Sequence, residues 1–200
     1  MTIAARIHDR KIEPIERGSL AERRRRLLSG LEGVVLELGA GTGRSLPYFE
    51  AADEVVLVEP NPELRELLER RLPQACVPIA VVDALPEELP FPDESFDAVV
   101  MVLVLCSVDR PELVLAEARR VLKPAGRLLL VEHVRADGAW GCFQDVTSPL
   151  HRFVSCGCAP NRRTAQAVRD AGFVLHEERF PLRGASPLGR PAIEGIALKR

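Results

Sequence analysis

Short apolar runs at 34–38, 55–59, 77–82, 98–105 and 128–132 punctuate the first two thirds of the chain. Each is too short for a core helix and nearly unbroken, as strands buried on both faces are. Helical signals fill the gaps. Ser19 and Glu22 form a Ser-x-x-Glu box that predicts a helix to about Leu28, stopped by Gly30 or Gly33. Asn61 is placed to cap a helix that has Pro62 at its first position and an apolar face of Leu64, Leu67, Leu68 and Leu72. Asp109 and Pro111 predict the next start, and Lys123-Pro124-Ala125-Gly126 its end. A helix from about Thr164 stops at Gly172, and two last strands, near 173–179 and 193–198, flank a Pro- and Gly-rich loop. Residues 1–18 are polar without a clean period and predict an arm or lid. Residues 85–94 read as a loop, and 133–163 as an irregular segment holding three of the five cysteines.

Strands alternating with helices predict an open, doubly wound α/β sheet in one domain over 1–200. Within it, 1–30 is an arm and helix, and 133–163 is an insertion on the substrate side. Ligands of such sheets bind outside the carboxyl ends of the strands. Glu37 to Gly43, Glu59, Asp83, Cys106 and His133 all fall at such ends. The glycines at 39, 41 and 43 let backbone approach a ligand where a Cβ would not fit. An acid at the tip of the second strand, Glu59, suits ribose hydroxyls. A nucleoside-bearing cofactor is therefore expected.

The spacing Gly39-x-Gly41-x-Gly43 followed by Arg44 departs from the Gly-x-Gly-x-x-Gly fingerprint of dinucleotide sites. Glu37 is awkward beside a pyrophosphate but suits a cationic ligand end. Asp83 can accept from an adenine amine. Three acids and no phosphate clamp favour S-adenosylmethionine over NAD. An NAD-dependent oxidoreductase is the alternative of another class, and a cofactor-binding protein without turnover is a third.

These residues carry a resemblance. The segments Leu-Glu-Leu-Gly-Ala-Gly-Thr-Gly from Leu36, Val-Glu-Pro-Asn-Pro from Val58, Leu-Pro-Phe-Pro-Asp-Glu-Ser-Phe-Asp-Ala-Val-Val from Leu89 and Arg-Val-Leu-Lys-Pro-Ala-Gly-Arg-Leu from Arg120 resemble successive motifs of class I S-adenosylmethionine-dependent methyltransferases. The resemblance implies a Rossmann-like, mostly parallel seven-stranded sheet whose last strand is antiparallel. It places Gly39, Ala40 and Gly41 against the methionine part of the cofactor, with Glu37 near its amino group. Glu59 and Pro60 would lie at the ribose, Asp83 and Ala84 at the adenine edge, and Leu103 near the methyl donor. Ala125 stands where a second glycine is common. A narrower resemblance, on Leu103-Val104-Leu105-Cys106-Ser107-Val108, Glu132-His133-Val134, Trp140, Gly157-Cys158 and Pro191-x-Ile193-x-Gly195-x-Ala197, is to the methyltransferase-like-seven group of alkyl-thiol methyltransferases and its bacterial relatives. It implies a small, apolar or thiol-bearing acceptor. A quinone precursor or phospholipid amine is the alternative.

Methyl transfer is an in-line displacement from an already activated donor, so positioning dominates. A thiol acceptor has a reference pKa of about 8.5 and gains from a base or nearby cation. His133 is the candidate base, or else a polar residue bonding the strand end, and His151 is a weaker candidate. Cys106 reads first as a small buried hydrophobe and second as part of an acceptor pocket with Trp140, His151 and Cys158. Trp140 is expected to wall that pocket or to cover the core. Cys142, Cys156, Cys158 and His151 lack the Cys-x-x-Cys spacing of common zinc sites, so no metal is expected.

The totals narrow the picture further. With 27 basic and 29 acidic side chains the net charge is −2, so no basic field argues for nucleic acid. The arginines at 23–26 predict a solvated face, and Arg152, Arg162 and Arg163 surface charge. No apolar run approaches the ~20 residues of a bilayer span, and residues 1–17 lack a signal-peptide core. Animal members of the narrower group begin with a hydrophobic membrane segment that is not seen here. The expectation is a cytoplasmic enzyme acting on a small molecule, with contact at a membrane surface left open.

Overall fold

The computed structural model describes residues 3–155 and 157–199. Seven strands form one sheet in the order β3-β2-β1-β4-β5-β7-β6. They are β1 (Val34–Leu38), β2 (Glu54–Val58), β3 (Ile79–Val82), β4 (Phe96–Val102), β5 (Leu122–His133), β6 (Phe173–Pro181) and β7 (Pro191–Lys199). The pairs among β1 to β5 are parallel, and β7 runs antiparallel to both neighbours. This is the predicted class I architecture, with the antiparallel strand last in the chain.

Strand side chains alternate between two cores. Leu36, Leu38, Val56, Val58, Val99, Met101, Leu128 and Leu130 face one layer, completed by α4 (Pro111–Val121) and α6 (Thr164–Asp170). Val35, Val55, Leu57, Val100, Leu129 and Val131 face the other. That second layer is closed by α2 (Ala21–Leu28), by Leu68 of α3 (Pro62–Arg71) and by a 3-10 turn at Leu46–Tyr48. Burial on both faces is why these strands read as continuous apolar runs. Asn61 caps α3 as expected, its side-chain oxygen accepting from Glu63 N at 2.9 Å.

Several boundaries differ from expectation. The polar N-terminus is helical: α1 (Ile3–Ile15) passes through a π-turn, Glu16–Leu20, directly into α2. Pro14 lies inside α1 and cannot donate to the helix ladder, and the widened turn follows it. Ser19 is therefore inside a continuous helical run, and its hydroxyl accepts from Arg183 N instead of capping. Asp109 does not cap α4 either, because its carboxylate is engaged by Arg152. Residues 123–126 belong to β5: the register jumps from Phe96↔Leu122 to Ala98↔Arg127, so they loop out as a bulge instead of ending a helix.

The largest correction concerns 133–163, where residues 138–154 form α5 (Gly138–Val154). Its inward face is polar. Gln144 accepts from Ala136 N at 2.7 Å and donates to Leu188 O at 2.7 Å, and Ser148 donates to Asn161. Phe143, Val146, Leu150 and Phe153 point outward, Phe153 being 87% exposed. Among the described residues no helix is long and apolar enough to cross a membrane.

Candidate functional site

The carboxyl ends of β1, β2, β4 and β5 open onto a cavity of about 760 Å³, a size suited to a nucleoside-bearing ligand. Lys11, Ile12 and Ile15 of α1 cover one side, His151 and Ser155 the other, and Ala185, Ser186 and Gly189 close the wall.

At the β1 end the chain turns through Gly39 at φ +62° and Gly41 at φ +58°. The two glycines meet different constraints. A Cβ on Gly39 would stand 2.9 Å from Val104 Cγ2, whereas one on Gly41 would have nothing nearer than Gly39 O at 3.9 Å. Gly41 thus presents bare backbone to the cavity. Its N–H donates to Glu59 Oε2 at 2.8 Å, and Asn61 N donates to Oε1 at 2.9 Å, so Glu59 at the tip of β2 is fixed at the cavity wall. Burial raises the Glu59 pKa against the pull of these two donors and of Arg65.

Of the residues predicted from sequence, Gly39, Ala40, Gly41, Glu59, Pro60, Leu103, Cys106, His133, His151 and Cys158 line this one cavity. Four others do not. Glu37 lies beneath it, 2% exposed, accepting from Ser45 Oγ at 2.5 Å and facing Arg24 at 3.6 Å. Burial pushes Glu37 up to about 7, Arg24 and Ser45 pulling it back. Asp83 sits beside Glu59 at the next strand end, its side chain 66% exposed and paired with Arg65 at 2.7 Å. Ala84 packs on the core behind it. Trp140 is 42% exposed and stacks on Phe143, so it neither walls the cavity nor covers the core. Cys142 is exposed beside Arg135, apart from Cys158 in the wall, and Cys156 lies outside the described residues.

The far end of the cavity is built on the turn after β4. β4 stops at Val102, short of the predicted Leu105, because Leu103 turns the chain at φ +60°, a conformation costly for leucine. Glu132, in β5, holds this turn. Its carboxylate accepts from Val104 N at 2.7 Å, Leu105 N at 2.8 Å and Cys106 N at 3.2 Å. Burial pushes Glu132 up to about 7, the three donors opposing. Cys106 and His133 are buried there and Cys158 is partly so. Contact with Cys158, reinforced by burial, raises the Cys106 thiol. The Cys158 thiol is lowered by Cys106 and by the His133 ring, against burial. Burial acts against a charged His133, but Cys158 and Glu132 outweigh it and raise the imidazole.

A family model described as a methyltransferase domain matches residues 36–130. Human thiol S-methyltransferase TMT1B is 32% identical over 94% of this chain and 83% of its own length. The chain belongs to the class I S-adenosylmethionine-dependent methyltransferases. Solved structures agree on the fold. A Thermotoga maritima SAM-dependent methyltransferase, titled a possible histamine N-methyltransferase, superposes with a TM-score of 0.70 at 23% identity over 98% of this chain and 95% of that one. The geranyl diphosphate C-methyltransferase of Streptomyces coelicolor A3(2), solved with S-adenosyl-L-homocysteine, gives 0.68 at 14% identity over 90% and 81%. Membership of this family makes S-adenosylmethionine the cofactor and methyl transfer the reaction.

Sequence reasoning missed three parts of the methyltransferase site. Arg24, read as one of a solvated run, is buried against Glu16 at 3.3 Å and lines the cavity. Arg23 and Arg26 likewise bind Glu194, at 2.6 and 2.5 Å. Asp9 of α1 ties the arm to the glycine turn, accepting from Thr42 Oγ1 at 2.8 Å and pairing with Arg44 and Arg71, each at 3.0 Å. Glu132 carried a signal, an acid ending an apolar strand, but nothing in the sequence showed which way it turns.

Proposed function

We propose that this methyltransferase methylates the sulfur of a small, apolar thiol. The observation that carries the reading is the far wall of the cavity, where Cys106, His133 and Cys158 converge beside Leu103. The human relative is named a thiol S-methyltransferase, which supports the same substrate class. In this reading the methionine part of the cofactor lies on Gly39, Ala40 and Gly41, with its ribose at Glu59 and Pro60. Asp83 and Ala84, one strand over, take the adenine edge. Glu37 acts beneath the loop by holding Ser45 and Arg24, and so shapes the turn without touching ligand.

The sulfonium methyl then points toward Leu103, and the acceptor enters the chamber under α1, α5 and the 184–189 loop. Ile12, Ile15 and Ala185 give that chamber apolar walls. Residues 133–163 are in this sense the substrate-side insertion, since they supply His151, Ser155 and Cys158. A thiol at neutral pH is only a few per cent ionised, so the protein must help it lose its proton and hold it in line with the methyl. That task falls to the Cys106–His133–Cys158 wall. His133 is the member with a buried, unfilled ring nitrogen.

The test is a competition among matched acceptors. Alkyl thiols, alcohols, amines and quinols of one carbon skeleton are incubated with S-adenosylmethionine, and S-adenosylhomocysteine formation is followed. Thiols are expected to be turned over at least ~100-fold faster in kcat/KM, corresponding to about 2.7 kcal/mol of transition-state discrimination. Equal turnover of the amine or quinol overturns the assignment.

A further inference from the structure

The wall that faces the acceptor has the composition of a metal site. The candidate ligand atoms of Cys106, His133 and Cys158 all lie within 4.8 Å of one another. They come from three separate segments: the turn after β4, the end of β5 and the turn after α5. Cys106 is fully buried, and His133 is 5% exposed with its Nδ1 lacking any hydrogen-bond partner. A buried imidazole nitrogen left without a partner is costly, and one nitrogen of this ring lies within 4.8 Å of both thiols.

The three segments are braced around the cluster. Ala159 N donates to Cys106 O at 2.7 Å, which joins the Cys158 turn to the Cys106 turn. His151 Nδ1 lies 3.1 Å from Cys158 O, and Glu132 holds the backbone N–H of Cys106. Gly189 packs flat on the His133 ring, where a Cβ would stand 3.1 Å from Cε1. Bracing of this kind, from outside the ligands, orients metal-binding side chains.

The donor set selects the ion. Two sulfurs and an imidazole suit zinc, and the all-oxygen shells of calcium and magnesium have no counterpart here. Glu132 is not a competing ligand, since both its oxygens are engaged by backbone N–H groups. Zinc bonds of about 2.3 Å to sulfur and 2.0–2.1 Å to nitrogen put tetrahedral ligand atoms about 3.5–3.8 Å apart. Each donor need move inward by no more than about an ångström. Two thiolates would neutralise the ion inside a largely apolar wall.

We propose that Cys106, His133 and Cys158 bind a zinc ion whose fourth coordination position opens into the cavity and receives the acceptor thiol. Three protein ligands with one open position is the pattern of a catalytic zinc. Zinc binding stands on the cluster alone, whereas the role of the fourth position rests on the thiol-methylation reading. On binding, a sulfur–zinc bond forms and the S–H bond breaks, its proton passing to solvent. The bound sulfur then uses an electron pair to form the S–CH₃ bond. The sulfonium C–S bond breaks, and its pair stays on the sulfur of S-adenosylhomocysteine. The product is a neutral thioether, a poorer ligand than a thiolate, and it leaves. His133 in this state holds the metal and is not the base.

The test uses the full chain purified from zinc-supplemented culture under reducing conditions, without a metal-affinity step. Elemental analysis should find about one zinc per chain. Cobalt(II) loaded after chelator treatment should show the thiolate-to-cobalt charge-transfer band and the intense visible bands of a tetrahedral site. Cys158→Ser and His133→Ala should abolish the stoichiometric metal, while Cys142→Ser, at an exposed cysteine, should retain it. Adding an alkyl thiol should shift the visible cobalt bands, and chelation should lower thiol methylation ~10-fold or more, reversibly on adding zinc. Folding of each variant is checked by S-adenosylhomocysteine binding, which uses the other end of the cavity. Reduced, folded protein that takes up neither zinc nor cobalt overturns the proposal even if it methylates thiols. Metal bound with no thiol-induced spectral change, in a protein that spares thiols, leaves the zinc site standing and overturns the thiol reading.

Discussion

Replacing Gly41 by alanine separates a ligand contact from a folding constraint, because its neighbour Gly39 supplies the control. Both glycines sit in the left-handed region, at φ +58° and +62°. An alanine there costs about 1–2 kcal/mol in backbone strain, offset by ~0.4–1 kcal/mol from a less mobile unfolded chain. At Gly41 nothing else is added, since the nearest atom to the new Cβ is Gly39 O at 3.9 Å. The net loss should be ~1 kcal/mol, or ~2–4 °C in Tm for a chain of this size. At Gly39 the new Cβ would be 2.9 Å from Val104 Cγ2, on a β-branched side chain that cannot swing aside. Overpacking of that kind adds ~1–3 kcal/mol.

Cofactor affinity should follow another logic. In the proposed placement the cofactor fills the open space beside Gly41, so with Gly41→Ala S-adenosylhomocysteine should bind ~10–150-fold more weakly, from ~1.4–3 kcal/mol of overlap. Thermal unfolding gives the first quantity and isothermal calorimetry the second. A Gly41→Ala protein that melts as low as Gly39→Ala refutes the steric distinction. One that binds S-adenosylhomocysteine with wild-type affinity refutes the placement of the cofactor on this turn.

Three further perturbations bear on the acids at the strand ends. Burial pushes Glu37 up to about 7 from the ordinary carboxylate value of 4.5; a raised acid stabilises the fold while protonated, so its contribution, roughly 3 kcal/mol, is present below pH ~4.5 and lost as pH rises through 7. Glu37→Gln should flatten the fall in unfolding free energy between those limits, and an unchanged slope in urea titrations at stepped pH contradicts this. Asp83→Ala should weaken S-adenosylhomocysteine binding ~5–150-fold if an adenine amine is left unpaired, while its exposed pair with Arg65 contributes at most ~1 kcal/mol to stability; equal calorimetric affinity removes Asp83 from the site. Glu132→Gln turns an NH₂ group against a backbone N–H of the 104–106 turn and should lower the urea midpoint by the equivalent of ~2 kcal/mol with the m-value unchanged, and no loss would mean that the turn stands without it.

The four acids also mark how far the sequence could be read. Apolar runs locate the strands because β1, β2, β4 and the second half of β5 are buried on both faces, with the edge strand β3 partly so, and that fixes the level at which ligands bind. It does not fix where an acid at that level turns. Glu37 turns under the loop to Arg24 and Ser45, Glu59 to the Gly41 amide at the cavity wall, Asp83 to Arg65, and Glu132 to the turn after β4. In sequence they look alike, and only Glu59 lines the cavity. The partners that decide the matter lie far along the chain or within charge runs, as Arg24 does, and no local pattern reports them. Helix α5 shows the same limit from the opposite side. Phe143, Val146, Leu150 and Phe153 recur at helical spacing, yet they face outward while Gln144 and Ser148 face in. Periodicity predicts an apolar face and presumes that it is the buried one. Here the inward face serves the cavity instead, carrying His151 and Ser155 to its wall, so a rule about core burial has no purchase on it. Cys106, His133 and Cys158 complete the point. Each alone reads as packing or as a strand-end residue, and their chemistry exists only where three turns meet.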